Sequence, residues 1–139
     1  MSLLGGKIIY PVRLGKSAIH GSGVFAAATI PARKKIGTMG GTIVSARQAN
    51  KHAKERQVIK LVELGNGKAL DGSVNGNELC CMNHSCSPNS YIRVIGHEVE
   101  FYALRKIKPE EEITCSYGAS YHEGKKHCGC GAENCVEFF

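Results

Sequence analysis

The chain has 139 residues, of which 42% are hydrophobic and 22% charged, and it carries a net charge of +6. That describes a single globular domain, large enough for one core and too small for two. No apolar run approaches the ~20 residues of a helical membrane span, and the opening MSLLGGKIIYPVR has no sustained apolar stretch of the kind a secretory leader needs. Seven cysteines without a leader point to a reducing, intracellular setting, where clustered thiols read as metal ligands rather than disulfides.

Seventeen glycines and no Trp predict many turns and short strands rather than a helical bundle. In chain order, the apolar run VFAAATI at 24–30 predicts a strand, and Pro31 punctuates a turn into another. Ser45 is an N-cap for a helix from residue 46 to about Arg56, built of good helix formers. The stretch from Val58 to Leu64, then Gly65-Asn66-Gly67, then 68–70, predicts a hairpin, because Asn-Gly supplies the positive φ angles of a tight turn. A second hairpin is predicted from 91–95 and 98–104 around Gly96-His97, with Val99, Phe101 and Ala103 on one face. Residues 113–117 predict a further strand. From Gly118 the tail is rich in Gly and Cys and has little periodicity, so something other than a core must hold it.

The cations concentrate in ARQANKHAKERQVIK and again at Lys125 and Lys126. A basic face can attract nucleic acid. A solvated helix face explains the central group better, because no aromatics interleave with the charges as a base-stacking surface requires.

Cys128, Cys130 and Cys135 follow the pattern C-x-C-x4-C, with Gly129 and Gly131 allowing a tight backbone path. Thiolates at this density suit Zn²⁺, which takes four ligands in a tetrahedron at about 2.3 Å. Three thiolates leave one position open. His127 is the nearest local donor, and Cys86, in the stretch CCMNHSCSPNSY, is the distant one. The absence of a C-x-x-C unit argues against redox chemistry.

Four blocks, in order, resemble the SET-domain protein lysine methyltransferases. They are HGSGVFA at 20–26, DGSVNGNELCCMNHSCSPN at 71–89, KPEEEITCSYG at 108–118 and CGCGAENC at 128–135. The resemblance spans roughly residues 7–139 and is carried mostly by the Asn-His-Ser-Cys-x-Pro-Asn block. It implies a mainly β fold of SET-domain, β-clip-like type, with short strands in small sheets, one inserted helix and a knot-like C-terminal crossing, an exception to the usual rule against threading. It divides the chain into a SET domain at 7–118, with a variable insert at about 45–70, and a zinc-binding post-SET segment at 119–139.

The resemblance further implies a reaction, transfer of a methyl group from S-adenosyl-L-methionine to a lysine ε-amine of a protein substrate, with a histone tail as the family default. Tyr117 is the implied catalytic residue. Gly21, Ser22 and Gly23 are implied to hold the cofactor through backbone groups, with Asn83 and His84 as further cofactor contacts. Phe138 and Phe139 are implied as an aromatic lid over the cofactor. Cys86 joins Cys128, Cys130 and Cys135 around one structural zinc ion. Location follows the source: the nucleus and chromatin in a eukaryote, otherwise the cytoplasm or a host cell.

This sequence departs from its relatives at several positions. Thr38 stands where many carry a Tyr lining the lysine channel, which predicts a wider or more polar channel. Cys115 stands where a Phe or Tyr often limits the number of methyl groups, which predicts room for di- or trimethylation. Cys80 and Cys81 replace an Arg-Phe pair and read as small buried side chains. Two other readings compete: a SET-like peptide-binding module without activity, supported by Thr38, and a zinc-stabilised nucleic-acid binder, supported by the basic charge.

Overall fold

A computed structural model of the chain describes residues 2–55, 59–117 and 128–138. The expectations that fall on Arg56, Val58, Gly118, Lys125, Lys126, His127 and Phe139 lie outside the described residues. Twelve short strands and one α-helix follow in order: β1 (Ser2–Leu4), β2 (Lys7–Ile8), β3 (Val12–Lys16), β4 (Ser22–Ala26), β5 (Lys35–Thr38), β6 (Gly41–Ser45), α1 (Ala46–Glu55), β7 (Leu61–Gly65), β8 (Lys68–Asp71), β9 (Asn83–His84), β10 (Ser90–Ile95), β11 (Glu98–Ala103) and β12 (Glu112–Cys115). A 3-10 turn, Glu78–Cys81, leads into β9. The fold is mainly β, as expected.

The strands form three four-stranded sheets, ordered β1-β6-β8-β7, β10-β11-β5-β2 and β3-β4-β12-β9. All pairs are antiparallel except β12 with β9, where Thr114 lies against Asn83 and Cys115 against His84. A parallel pair needs a long connection, and here it is the whole of residues 85–111. β12 sits between β4 and β9, so the glycine block, the Asn-His block and the Glu-Glu-Ile-Thr block meet in one sheet.

Three expected turns keep their chemistry. Asn66 and Gly67 adopt φ of 52° and 70°, as the β7–β8 hairpin requires. Ser45 caps α1: its Oγ accepts from Gln48 N at 3.1 Å, and Gln48 Oε1 accepts from Ser45 N at 3.2 Å. This is a reciprocal capping box with Gln in the fourth place. In the second hairpin Val99, Phe101 and Ala103 share one buried face.

Two boundaries move. The run at 24–30 is not one strand: β4 ends at Ala26, and Ile30 makes an isolated bridge to Ile107. The β3 ladder stops opposite Ala26 because Pro11, next in line, has no N–H to donate. The strand at 113–117 is shorter as well, ending at Cys115. Tyr117 N donates to a histidine ring instead of a neighbouring strand.

The core gathers side chains from all three sheets, including Val24, Ile30, Ile36, Leu70, Leu79, Phe101, Ile107 and Ile113. Burying each large aliphatic chain contributes about 1.5–3 kcal/mol. α1 packs Ala49 against the β6–β8 sheet, and its His52 Nδ1 lies 3.3 Å from the buried Asp71 carboxylate of β8.

Candidate active site and thiolate cluster

The turn before β4 is organised by Ser17 and Glu112. Ser17 N donates to Gly21 O at 2.8 Å, and Ser17 Oγ donates to the Glu112 carboxylate at 2.7 Å. Asn83 Nδ2 reaches three oxygens: His20 O at 3.1 Å, Ser22 O at 3.2 Å and Glu112 Oε2 at 3.0 Å. A Cβ on Gly23 would overlap the Glu112 carboxylate, which Ser17 and Asn83 hold in place. Gly23 is therefore required by a protein neighbour. Gly21 adopts φ of 45°, and a Cβ there would meet nothing within 4 Å, so this turn presents open space on its outer side.

His84 and Tyr117 are coupled across the parallel pair. Tyr117 N donates to His84 Nδ1 at 2.9 Å. In a neutral ring the proton then sits on Nε2, 3.4 Å from Cys86 Sγ. Burial holds the His84 pKa below its ordinary value and so favours that neutral ring. The two rings meet edge to face with centroids 5.3 Å apart. Tyr117 Oη donates to Met82 O at 2.5 Å. Burial, followed by the nearby thiols of Cys115 and Cys81, pushes the Tyr117 pKa well above the phenol range.

Tyr117 also forms part of the wall of a cavity of about 460 Å³, with Met39, Leu79, Met82, Phe101 and Cys115 among its lining residues. Burial raises the Cys115 pKa to about 12, which leaves an inert thiol. Thr38 does not line this cavity; Met39 does. Thr38 Oγ1 instead accepts from Lys7 N of β2 at 3.0 Å. Cys80 lines the cavity as well, with its pKa raised to about 11, chiefly by burial. Gly21, Ser22, Gly23, Asn83, His84 and Phe138 do not line it. Tyr117 stands between the two groups, its N–H on His84 and its side chain in the cavity wall.

The Sγ atoms of Cys86, Cys128, Cys130 and Cys135 all lie within 4.8 Å of one another, and Cys86 and Cys128 are 3.9 Å apart. Four sulfurs at 2.3 Å from a central zinc sit about 3.8 Å from each other, so the donor set fits the ion. The surroundings suit thiolates too. Sulfur accepts from Ala132 N at Cys130 (3.5 Å), from Val136 N at Cys86 (3.4 Å) and from Glu137 N at Cys135 (3.4 Å). Asn134 Nδ2 adds a bond of 2.9 Å to Cys86 O. The described part of the tail, with no helix or extended strand, is thus bound to the Asn-His-Ser-Cys loop. Phe138 follows three residues after Cys135 and is 53% exposed.

Residues 21–118 match the family described as the SET domain. The chain belongs to the SET-domain family. Among curated proteins, this SET domain is 30% identical over 133 residues to human "Histone-lysine N-methyltransferase 2B", covering 88% of the chain and 5% of the relative. It is 33% identical over 133 residues to "Histone-lysine N-methyltransferase set-2" of Caenorhabditis elegans, covering 89% of the chain and 9% of the relative. The chain therefore spans less than a tenth of either protein. Among solved structures it superposes on a chain of an active polycomb repressive complex 2 in the basal state, with a TM-score of 0.72 and 28% identity, covering 78% of this chain and 15% of that one.

The SET-domain motifs led to most of the residues that meet here, and missed others. Glu112 reads in the sequence only as one of three consecutive acids, yet it is the carboxylate joining Ser17, Asn83 and the Gly23 turn. Met82 acts through its carbonyl, which no side-chain motif can signal. Asn89 cross-links two blocks: its Oδ1 accepts from Thr114 N at 2.9 Å and its Nδ2 donates to Glu112 O at 2.8 Å. Its place at the end of the Asn-His-Ser-Cys-x-Pro-Asn block was the available clue.

Proposed function

We propose that this chain is an S-adenosyl-L-methionine-dependent protein-lysine N-methyltransferase acting on a histone-tail lysine, with chromatin as its site of action. The observation that carries the reading is the commitment of the Tyr117 proton to Met82 O at 2.5 Å, in the wall of a largely apolar cavity. A phenol whose proton is committed can present only lone pairs to a second partner. Tyr117 is therefore suited to accept an N–H from a substrate amine and orient the nitrogen lone pair. The apolar lining of Met39, Leu79, Met82 and Phe101 disfavours an ammonium ion, as does Lys60, while Glu63 is the one acid among the described lining residues.

S-adenosyl-L-methionine, when bound, supplies an electrophilic sulfonium methyl group. Gly21, Ser22 and Gly23 would hold it through backbone groups, with Gly21 facing open space. Asn83 acts by fixing that turn, and His84 by fixing the Tyr117 backbone. Phe138, anchored beside the thiolate cluster, would cover the cofactor. Cys86, Cys128, Cys130 and Cys135 would hold one structural zinc. In this reading residues 7–118 form the SET domain, with its insert at about 45–70, and 119–139 the post-SET segment. The small Cys115 leaves room for more than one methyl group on the nitrogen.

The test is radiolabelled methyl transfer to core histones and to a cell lysate, with Tyr117→Phe beside wild type. Wild type labels a histone, and the variant falls by about 100-fold or more while still binding the cofactor. Equal signal from both would refute the role of Tyr117, and no transfer by wild type to any protein would refute the activity. Mass spectrometry showing only monomethyl-lysine at long times would refute the role given to Cys115.

A further inference from the structure

The turn at 31–35 and the turn at 104–108 are seventy residues apart in sequence and locked together in space. Ile30 and Ile107 exchange both backbone bonds at 2.9 Å, Arg33 N donates to Ala103 O at 2.8 Å, and Ala103 N donates to Lys34 O at 2.9 Å. The two turns carry Arg33, Lys34, Lys35, Arg105, Lys106 and Lys108. The carboxylates at their border are already taken: Glu100 by Lys35, Glu111 by Arg105 at 2.5 Å and Glu110 by Arg13. Arg33, Lys34, Lys106 and Lys108 are exposed, and their side chains form no ion pair with a carboxylate among the described residues; only the Lys108 main chain donates to Glu111, at 3.1 Å.

We propose that this basic lobe is a docking surface for the phosphate backbone of double-stranded nucleic acid, an interaction separate from methyl transfer. A cluster of cations left without ion-pair partners, while Glu100, Glu110 and Glu111 beside it are each held by another cation, produces a local positive potential that a polyanion complements. Cross-bridging of the turns fixes the backbone that carries the four side chains, which lowers the backbone part of the ordering cost of binding. Duplex is favoured over single strand because Tyr91, the exposed aromatic on the strand beside β11, is stacked on Tyr102 with centroids 5.4 Å apart rather than presented to a base. Phosphate contacts of this kind position a protein without reading sequence. The lobe lies at the end of β5 and β11 from which Met39 and Phe101 of the cavity are four and two residues away, about 13 and 7 Å along an extended chain.

The experiment is fluorescence anisotropy of the whole chain with a labelled 30-base-pair DNA duplex over a salt series. Each phosphate neutralised contributes about 0.9 to the log–log slope, so four contacts correspond to a fall of about 150-fold between 50 and 200 mM salt. A variant with Arg33→Ser, Lys34→Ser, Lys106→Ser and Lys108→Ser flattens the slope by about 3–4, and Lys106→Ser or Lys108→Ser alone by about 0.9. A control with Arg47→Ser, Lys51→Ser and Lys54→Ser on α1 keeps the wild-type slope. Circular dichroism melts confirm that each variant is folded. The proposal is overturned if the four-site variant keeps the wild-type slope, if the α1 variant takes the loss, or if wild type fails to bind the duplex at low salt. Loss of binding only to phosphatidylserine vesicles would assign the lobe to a membrane surface and overturn it equally.

Discussion

Asn83→Ala tests whether one side-chain amide holds the glycine turn, β9 and β12 together. Asn83 is 9% exposed, and its Nδ2 is shared among His20 O, Ser22 O and Glu112 Oε2. Two N–H groups serve three acceptors, so the count is about one bond to a charged acceptor and one divided between two carbonyls. The first is worth about 1.5–3 kcal/mol and the second about 0.5–1.5 kcal/mol. The expected loss of stability is therefore about 2–4 kcal/mol, a large share of the roughly 5–15 kcal/mol of a typical domain. Urea unfolding followed by circular dichroism would register it as a fall in midpoint of about 1–2 M at unchanged slope. Asn83→Asp should be worse than Ala despite its nearly identical shape, because a second carboxylate would face Glu112 and two carbonyl oxygens. A loss below about 0.5 kcal/mol in Asn83→Ala, or an Asp variant as stable as wild type, would refute the reasoning.

Zinc content should be one ion per chain, and Cys86→Ser should make it substoichiometric; undiminished metal in that variant would exclude Cys86 as a ligand. Chelation should lower the melting temperature by about 6–12 °C for a loss of about 3 kcal/mol, and an unchanged melt would count against a structural ion. Leu79→Ala removes a side chain that is 1% exposed and packs over Gly37, at an expected cost of about 2–5 kcal/mol in chemical denaturation. Glu100 tests the pH dependence of stability. The Lys35 ammonium holds its carboxyl below the ordinary 4.5, so its contribution is full above that value and is lost as pH falls through the lower, folded one. The stability gap between wild type and Glu100→Gln should thus be present at about pH 7 and shrink as pH falls below 4.5. A gap that widens on acidification would contradict the sign.

Local features and the list of chemical parts were legible in the chain before any folding is considered. The Asn66-Gly67 hairpin, the Ser45 cap and the alternating apolar face of β11 were legible because each depends on conformational preferences or side-chain spacing within a few residues. The three-cysteine tail and the Asn-His-Ser-Cys block were legible because their residue types and spacings are distinctive. What lay beyond local reading was decided by pairing across the chain. β2, β6 and β9 are too short or too buried to show periodicity and exist because a partner strand supplies their hydrogen bonds. Thr38 faces Lys7 rather than the cavity because the pleat of β5, set by its register with β11 and β2, decides which of two neighbours points inward. Glu112 gains its role only when β12 slides between β4 and β9. The fourth thiolate joins the other three because the parallel β9–β12 pair and the tail bring residue 86 against residues 128–135, a closure between distant segments that only the folded chain defines.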